Sequence, residues 1–356
     1  MNSMLEIAPF SIGQSQKEDL LLPQLEDLTR FHHQNCESYR EILDRSRNVS
    51  RPYKSIQDVP FLPVRLFKHL ELLSVSRDEV VKTVTSSGTT GQLVSRVYLD
   101  KETAINQIRT LVKILQDFIG VQRMPMLIID HPKVIKDRAN FSARGAGILG
   151  LSNFGMDHTY ALRDETMEID FDRVELFLKK HSGRPILIFG FTFMVWANFV
   201  RALELANREL DLSNAVLLHS GGWKKLANES VDNDAFKARL KNVSGVARVH
   251  NFYGMAEQVG TVYVECEYGR LHTPVFCDVL VRDPIDWSCL GVGARGLVQV
   301  LSLLPRSYPG HSLLTEDLGE ITGIDDCSCG RKGKTIRIHG RIAKAEARGC
   351  SDTQNG

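Results

Sequence analysis

The segment Thr85-Ser86-Ser87-Gly88-Thr89-Thr90-Gly91 sets five hydroxyl side chains among two glycines. Glycines let backbone approach a ligand closely, and hydroxyls with backbone N–H groups donate to oxyanions. Such a loop can wrap a polyphosphate without a formal positive charge. It is not a Walker loop, because the Gly-Lys-Ser/Thr ending is absent; an ordinary Ser/Thr/Gly connector is the plainer alternative. A second group, His250-Asn251-Phe252-Tyr253-Gly254-Met255-Ala256-Glu257, follows an apolar run. An aromatic before a glycine can offer a flat face to a base, and a carboxylate three residues after the glycine can hold Mg²⁺ near phosphates. Ser220-Gly221-Gly222-Trp223-Lys224 can press bare backbone against a planar ligand. Thr315-Glu316-Asp317-Leu318-Gly319-Glu320 places an acid that can accept two ribose hydroxyls, and Arg337-Ile338-His339-Gly340-Arg341 adds cationic donors downstream.

These groups sit at the ends of elements that the pattern of apolar residues predicts. A β-branched run at residues 80–84 breaks into the hydroxyl loop, then VSRVYLD and a helical stretch over 101–118 follow. From 124 to 256 the short apolar runs MLIID, ILIFGF, AVLLHSGG and VARVHNFYG alternate with helical stretches near 142–150, 172–181, 193–209 and 232–240. That alternation predicts an α/β core with a largely parallel sheet, whose ligand crevice lies at the strand ends. After Gly260 the runs GTVYVEC, HTPVFCDVLVRD, RGLVQVLSLL, SLLTEDLGEI and KTIRIHGR alternate and turn like a mostly antiparallel unit. Ahead of all this, residues 20–45 repeat at helical spacing, and 59–73 read as a short second helix after prolines. The expected organisation is a helical segment at 1–80 packed on the body, an α/β core at 81–259, a β-rich subdomain at 260–341 and a mobile tail at 342–356.

Among 356 residues, 44 Lys+Arg balance 43 Asp+Glu, so no excess charge steers a polyanion and nucleic acid is not an expected partner. No apolar run approaches the roughly 20 residues that span a bilayer, and the first residues lack a signal-peptide pattern; the expected compartment is the cytoplasm. There the seven scattered cysteines should be reduced. Cys36, Cys277 and Cys289 lie in apolar surroundings and read as packing residues. Cys266 and His272 flank one turn and Cys327-Ser328-Cys329-Gly330 forms another. These four side chains can close a tetrahedral Zn²⁺ site, or be two surface turns with reduced thiols. The run FGFTFMVWANF, residues 189–199, can line a long acyl tunnel or be a buried strand followed by a buried helix.

TSSGTTG, NFYGMAE, TEDLGE and HGR, in this order, resemble the adenylate-forming ligase superfamily over most of the chain. VPFLPV with a following FK, HSGGWK and the terminal GRIAKAEARGC resemble, more narrowly, its acyl-protein synthetases, the long-chain fatty acid:protein ligases of bacterial fatty-acid reductase systems; CSCGR is shared with the phenylacetate-CoA ligase branch. The resemblance implies the N-terminal body of such a ligase, with layered α/β subdomains and a smaller β subdomain, and without the mobile C-terminal domain. It also implies ATP and Mg²⁺ as cofactors, a fatty acid as substrate and an acyl reductase or other acyl-accepting protein as partner. Residue by residue, Thr85, Ser86, Ser87, Gly88, Thr89, Thr90 and Gly91 match the phosphate loop, Gly221 and Gly222 the adenine-side glycines, and Tyr253 the aromatic on adenine. Glu257 matches the Mg²⁺ glutamate, Asp317 the ribose aspartate and Arg341 the hinge arginine. Two departures stand out: Ala256 replaces the common Thr before the glutamate, and TED replaces TGD.

Only 15 residues follow Arg341, fewer than the about 40 of a minimal independent core, so the second half-reaction is expected to use another device. Cys350 matches the cysteine that becomes acylated in acyl-protein synthetases, and a tail of this length can return its thiol to an acyl-adenylate. Lys344 and Arg348 favour its thiolate, while Glu346 and Asp352 oppose it. Two other readings remain open at this stage. One is an adenylating ligase that passes the acyl group directly to CoA, a carrier protein or an amine; the other is a nucleotide-binding scaffold without turnover.

Overall fold

The computed structural model describes residues 4–45, 52–86, 93–135, 143–164, 166–223 and 229–342. In chain order its strands are β1 (Leu62–Pro63), β2 (Val80–Thr85), β3 (Arg96–Asp100), β4 (Met124–Ile128), β5 (Gly155–Tyr160), β6 (Ile186–Phe191), β7 (Ala215–Ser220) and β8 (Arg248–Gly254). They continue with β9 (Val262–Glu265), β10 (Leu271–His272), β11 (Cys277–Arg282), β12 (Gly296–Ser302), β13 (Ser312–Ile324) and β14 (Lys334–Arg341). Two compact units emerge: one joins the chain up to Asp117 with the part from Tyr253 onward, and the other spans Phe118 to Phe252.

The second unit is a parallel sheet in the order β8-β7-β6-β4-β5. Its inner strands β4 and β7 are buried on both faces almost throughout, as continuous apolar runs require. Helices return the chain between them. Asp170 caps the helix Phe171–Lys180 by accepting from Arg173 N, and Asp232 caps Asn233–Ser244 by accepting from Ala235 N at 2.8 Å. The run at 189–199 ends β6 and enters a helical stretch with a π turn over Val195–Val200, burying Met194, Val195, Trp196 and Phe199. A strand absent from the sequence reading, β5, lies at the end of the strand order; its residues GMDHTY are polar because an edge strand buries one face.

In the first unit β11, β12, β13, β14, β10 and β9 form an antiparallel succession, β1 pairs in parallel with β13, and β2–β3 make a separate hairpin. The short helix expected after the prolines of the segment 59–73 forms only as a 3-10 turn. Leu62 and Pro63 pair with Leu313 and Leu314, leaving only a 3-10 turn at Val64–Lys68 that buries Phe67. Helices Gln14–Asn35 and Glu37–Arg45 cover this unit. A buried ion network seats the first: Asp278 on β11 meets Lys17 Nζ at 3.5 Å and Lys334 Nζ at 3.2 Å, and accepts from Gln14 Nε2 at 2.5 Å. Three partners on one carboxylate offset its loss of water.

The same helix carries His32, fully buried, with Nδ1 2.8 Å from Ser74 Oγ, Nε2 3.2 Å from the Pro305 carbonyl and its ring stacked on His311. Burial, then the neighbouring His311, hold its pKa well below the ordinary histidine value. In the second unit burial takes His219 down to about 3. The unfolded chain, titrating near about 6.5, therefore binds protons first as pH falls. The stability these histidines contribute is present above that value and lost on acidification toward the folded pKa. The urea midpoint should fall between about pH 7 and pH 5 and lose part of that slope in His32→Gln; an unchanged slope in the variant would contradict this.

Candidate active site

The ladder of the β2–β3 hairpin ends at the pair Thr85 and Arg96. One step further out, Ser86 N donates to the Ser95 carbonyl at 3.1 Å, and Ser95 N donates to Ser86 Oγ at 2.9 Å. A side-chain hydroxyl thus completes the pairing where the backbone leaves the ladder. Of the residues expected to form a phosphate loop, Thr85 and Ser86 sit here, whereas Ser87, Gly88, Thr89, Thr90 and Gly91 lie outside the described residues, as does Cys350.

Across the same unit, Glu257 sits on the 3-10 turn Ala256–Gln258 just after β8. Gln258 pins that turn by donating from Nε2 to the carbonyls of Gly310 at 2.8 Å and Val300 at 3.2 Å. The turn exits through Gly260, at φ +86° and so close to Gln107 that a Cβ would lie 2.6 Å from its carbonyl oxygen; only glycine fits. Glu257 is 6% exposed. Burial raises its pKa, while the Ser95 hydroxyl, its own backbone N–H, Arg341 and Lys68 pull it back down.

Tyr253, near the end of β8, donates from its hydroxyl to Asp317 Oδ2 at 2.6 Å, and Arg341 Nε approaches Asp317 Oδ1 at 3.3 Å. Asp317 and Arg341 face each other because they are register partners in β13 and β14. Burial, then Asp317, raise the Tyr253 phenol well above its ordinary value, so it stays a donor. Asp317 is further fixed by its own N–H, which donates to Thr315 Oγ1 at 3.1 Å. The departure at Glu316 is accommodated locally: Arg65 Nε donates to its carboxylate at 2.8 Å.

In the second unit β7 ends in Ser220-Gly221-Gly222. Gly221 has φ +87°, and a Cβ there would meet the Phe191 ring at 3.2 Å; Gly222 has open space at its own Cβ position. Behind them His219 Nδ1 is 3.0 Å from Thr192 Oγ1.

The cysteine–histidine set also assembles, in the first unit. The ligand atoms of Cys266, His272, Cys327 and Cys329 all lie within 4.8 Å of one another. Cys266 Sγ and Cys327 Sγ are 3.7 Å apart, and Cys329 Sγ is 3.3 Å from His272 Nε2. A tetrahedral ion with zinc–sulfur bonds of about 2.3 Å puts its sulfurs roughly 3.8 Å apart, so the thiols already stand at ligand spacing. Three of the four are buried. Cys329 instead lines an open crevice of about 480 Å³ with Phe10, Asp117, Glu267 and Arg331. Arg331 ties this loop to the end of the helix Lys101–Ile119, donating from Nε to Asp117 Oδ1 at 2.7 Å.

The family model described as acyl-protein synthetase, LuxE, matches residues 2–356. The chain belongs to that family. Acyl-protein synthetases are ligases, and curated relatives of this one carry the name long-chain-fatty-acid–luciferin-component ligase. The protein of that name from Aliivibrio fischeri is 24% identical over 328 residues, 90% of this chain and 84% of the relative. The one from Vibrio harveyi is 22% identical over 327 residues, with the same coverage. Among solved structures, 2-hydroxyisobutyryl-CoA ligase, crystallised open with 2-HIB-AMP and CoA, superposes with TM-score 0.72. It is 17% identical, with 94% of this chain and 77% of that chain covered. The α/β body expected of an adenylate-forming ligase is therefore the fold of this acyl-protein synthetase.

Two polar groups of the synthetase escaped the sequence reading. Ser95 belongs to no motif there, and only the hairpin register brings it to Glu257. The Tyr253–Asp317 hydrogen bond likewise depends on where β13 runs. Arg331 did carry a signal, since it closes the CSCGR segment. No helix among the described residues is long and apolar enough to cross a membrane.

Proposed function

We propose that this acyl-protein synthetase activates a long-chain fatty acid with ATP as acyl-AMP and transfers the acyl group to the Cys350 thiol, for delivery to an acyl reductase. The observation that carries the reading is the gathering in one unit of the buried Glu257 carboxyl and the Tyr253–Asp317–Arg341 chain. The residues suit a nucleotide. Asp317 accepts from Tyr253 and Arg341, and a carboxylate with about four lone-pair sites can still accept from two ribose hydroxyls. The Tyr253 ring is the face assigned to adenine. Glu257 is the carboxylate assigned to the phosphates, and the sequence Thr85 to Gly91 is the stretch that the family resemblance assigns to them. Mg²⁺, when bound, neutralises phosphate charge there.

A carboxylate approaching the α-phosphorus of ATP brings anion toward anion, so oriented donors must offset the repulsion. The carboxylate oxygen bonds to phosphorus as the bond to the β-phosphate bridging oxygen breaks, releasing pyrophosphate. Cys350 thiolate then attacks the acyl carbon and AMP leaves, so a thioester retains most of the activation. Incubation with ATP, Mg²⁺ and labelled C8–C18 acids, followed by intact mass, should give one hydroxylamine-sensitive acyl adduct. Pyrophosphate without an adduct would favour direct transfer to an external acceptor, and no pyrophosphate with any acid would favour a binding module.

Tyr253 orients Asp317 without occupying all of its acceptor sites. Tyr253→Phe should therefore raise the KM for ATP by about three- to tenfold, with kcat largely kept, as the loss of one hydrogen bond to a charged group predicts. A fall in kcat at unchanged KM would argue against the ribose role of Asp317.

Zn²⁺ is the ion that three thiols and an imidazole at these separations suit, and Cys266, His272, Cys327 and Cys329 would hold it as a staple of the β-rich part. Purified protein should contain about one zinc per chain by plasma mass spectrometry, and Cys266→Ser close to none. Full metal content in that variant would exclude the tetrad as the site.

A further inference from the structure

Residues 8–13, ahead of the helix Gln14–Asn35, are bonded to both chain segments that carry the Cys/His tetrad. Lys332 N, in the loop that holds Cys327 and Cys329, donates to the Phe10 carbonyl at 2.9 Å, and Val275 N, just beyond His272, donates to the Pro9 carbonyl at 2.7 Å. The Phe10 ring, 6% exposed, stands edge-on to the His272 ring with centroids 5.9 Å apart. Ala8, Phe10 and Ser11 also line the crevice of about 480 Å³ that reaches Cys329. We propose that this segment is a metal-linked cover of the tetrad, held down while the four ligands share an ion and released when the ion leaves. This rests on the reading of Cys266, His272, Cys327 and Cys329 as a zinc site.

The coupling follows from what holds each segment in place. β10 pairs with β14, and Asp325 at the base of the 325–333 loop accepts from Gly333 N at 2.7 Å and from Gln14 N at 2.8 Å, so the ladder and the base of the loop stand with or without metal. The ion pairs Arg270–Asp326 and Arg331–Asp117 add to the loop from its outer side, where solvent screens them. Between the two segments only the tetrad spans the inner side. Cys266 Sγ meets Cys327 Sγ at 3.7 Å and His272 Nε2 meets Cys329 Sγ at 3.3 Å, contacts made through sulfur, a weak donor and acceptor until an ion turns it into a ligand. The His272 ring is set in the same way. Its Nδ1 has no hydrogen-bond partner among the described residues, so ligation at Nε2 and the edge of Phe10 decide how it lies. Loss of the ion therefore loosens what residues 8–13 rest on, the imidazole and the stretch of loop that ends at Lys332, while the helix start keeps its Asp325 cap. Access runs through the same place. Cys266, His272 and Cys327 are buried and Cys329 is half-buried, so a competing thiol or chelator reaches the ion from the Cys329 side, along the crevice that Phe10 lines.

Chymotrypsin digestion of the full chain, followed by intact mass, tests this on protein as purified, after zinc removal with a chelator and desalting, and after Zn²⁺ is added back. Metal removal should speed cleavage after Phe10 by at least about tenfold, a usual size for coupling between two sites, while cleavage elsewhere keeps its rate; added Zn²⁺ should restore protection. Binding free energies couple reciprocally. Phe10→Ala should therefore still take one zinc per chain but hold it about tenfold more weakly in competition with a chromophoric chelator, and Phe10→Leu, which refills most of the volume, should return the affinity toward wild type. An unchanged rate of cleavage after Phe10 once the zinc is gone overturns the inference, as does wild-type zinc affinity in Phe10→Ala. Equal acceleration of cleavage throughout the chain also overturns it, because the ion would then support the β-rich part as a whole and not its cover. Protein that carries no zinc and takes none up shows instead that the tetrad has been misread, and the cover falls with it.

Discussion

Cys350→Ala is expected to release pyrophosphate from ATP in the presence of its fatty acid and yet to carry no acyl group. Two half-reactions need separate residues: the first uses oriented donors around phosphorus, and the second needs only a nucleophile within reach of the acyl carbon. Removing the thiol leaves the first intact. Acyl-AMP then leaves or hydrolyses slowly, so pyrophosphate appears as a burst instead of being followed by thioester. The loss of adduct should be at least about a hundredfold, because a tethered nucleophile acts at an effective concentration that free thiols in solution cannot match. Cys350→Ser is the informative companion. Its hydroxyl is a far weaker nucleophile at neutral pH, and any adduct it forms would be an ester that resists neutral hydroxylamine. An adduct that persists in Cys350→Ala would move the acyl carrier to another thiol. Cys329 would then be the first to examine, since it lines an open crevice while Cys266 and Cys327 are buried.

Which parts of this molecule could be read in the sequence follows from what each part is made by. β6 and β7 declare themselves because both faces are covered, leaving the runs ILIFGF and AVLLHS without polar interruption. β5 does not, since an edge strand needs no such run. The short helix expected after the prolines of 59–73 shrinks to a 3-10 turn at Val64–Lys68, and the pairing of Leu62–Pro63 with β13 just before it went unread because local periodicity carries no record of a distant partner. The Cys/His tetrad lies between these cases. The four residues were legible as a possible set despite a Cys-x-Cys spacing tighter than usual, but two separate surface turns read equally well, and only the fold brings Sγ atoms from the two turns to 3.7 Å. The candidate site residues divide in the same way. Tyr253, Glu257, Asp317 and Arg341 were visible through motif order, whereas the bond from Tyr253 to Asp317 and the approach of Ser95 to Glu257 exist only once β13, β14 and the β2–β3 hairpin are in register.

Glu257→Gln should lower the rate of acyl-adenylate formation by about 10²–10³, the usual cost of deleting one oriented electrostatic group from a site where charge develops. The substitution keeps the shape and the hydrogen-bonding capacity of the side chain, so the loss can be assigned to charge. Stability should move the other way. Burial raises the Glu257 pKa, which means that folding favours its protonated form, and the ionised group above that pKa weakens the fold. The sign follows directly: the penalty is absent below the unfolded value of about 4.3 and grows as pH rises through the folded one, so at neutral pH the amide removes it. A variant that is nearly inactive in pyrophosphate exchange yet melts at the same temperature as wild type or higher would show a carboxylate retained for chemistry at the expense of stability. Equal losses of activity and of melting temperature would instead make Glu257 a structural anchor of its turn, and the phosphate-facing role would pass to the hydroxyl loop alone.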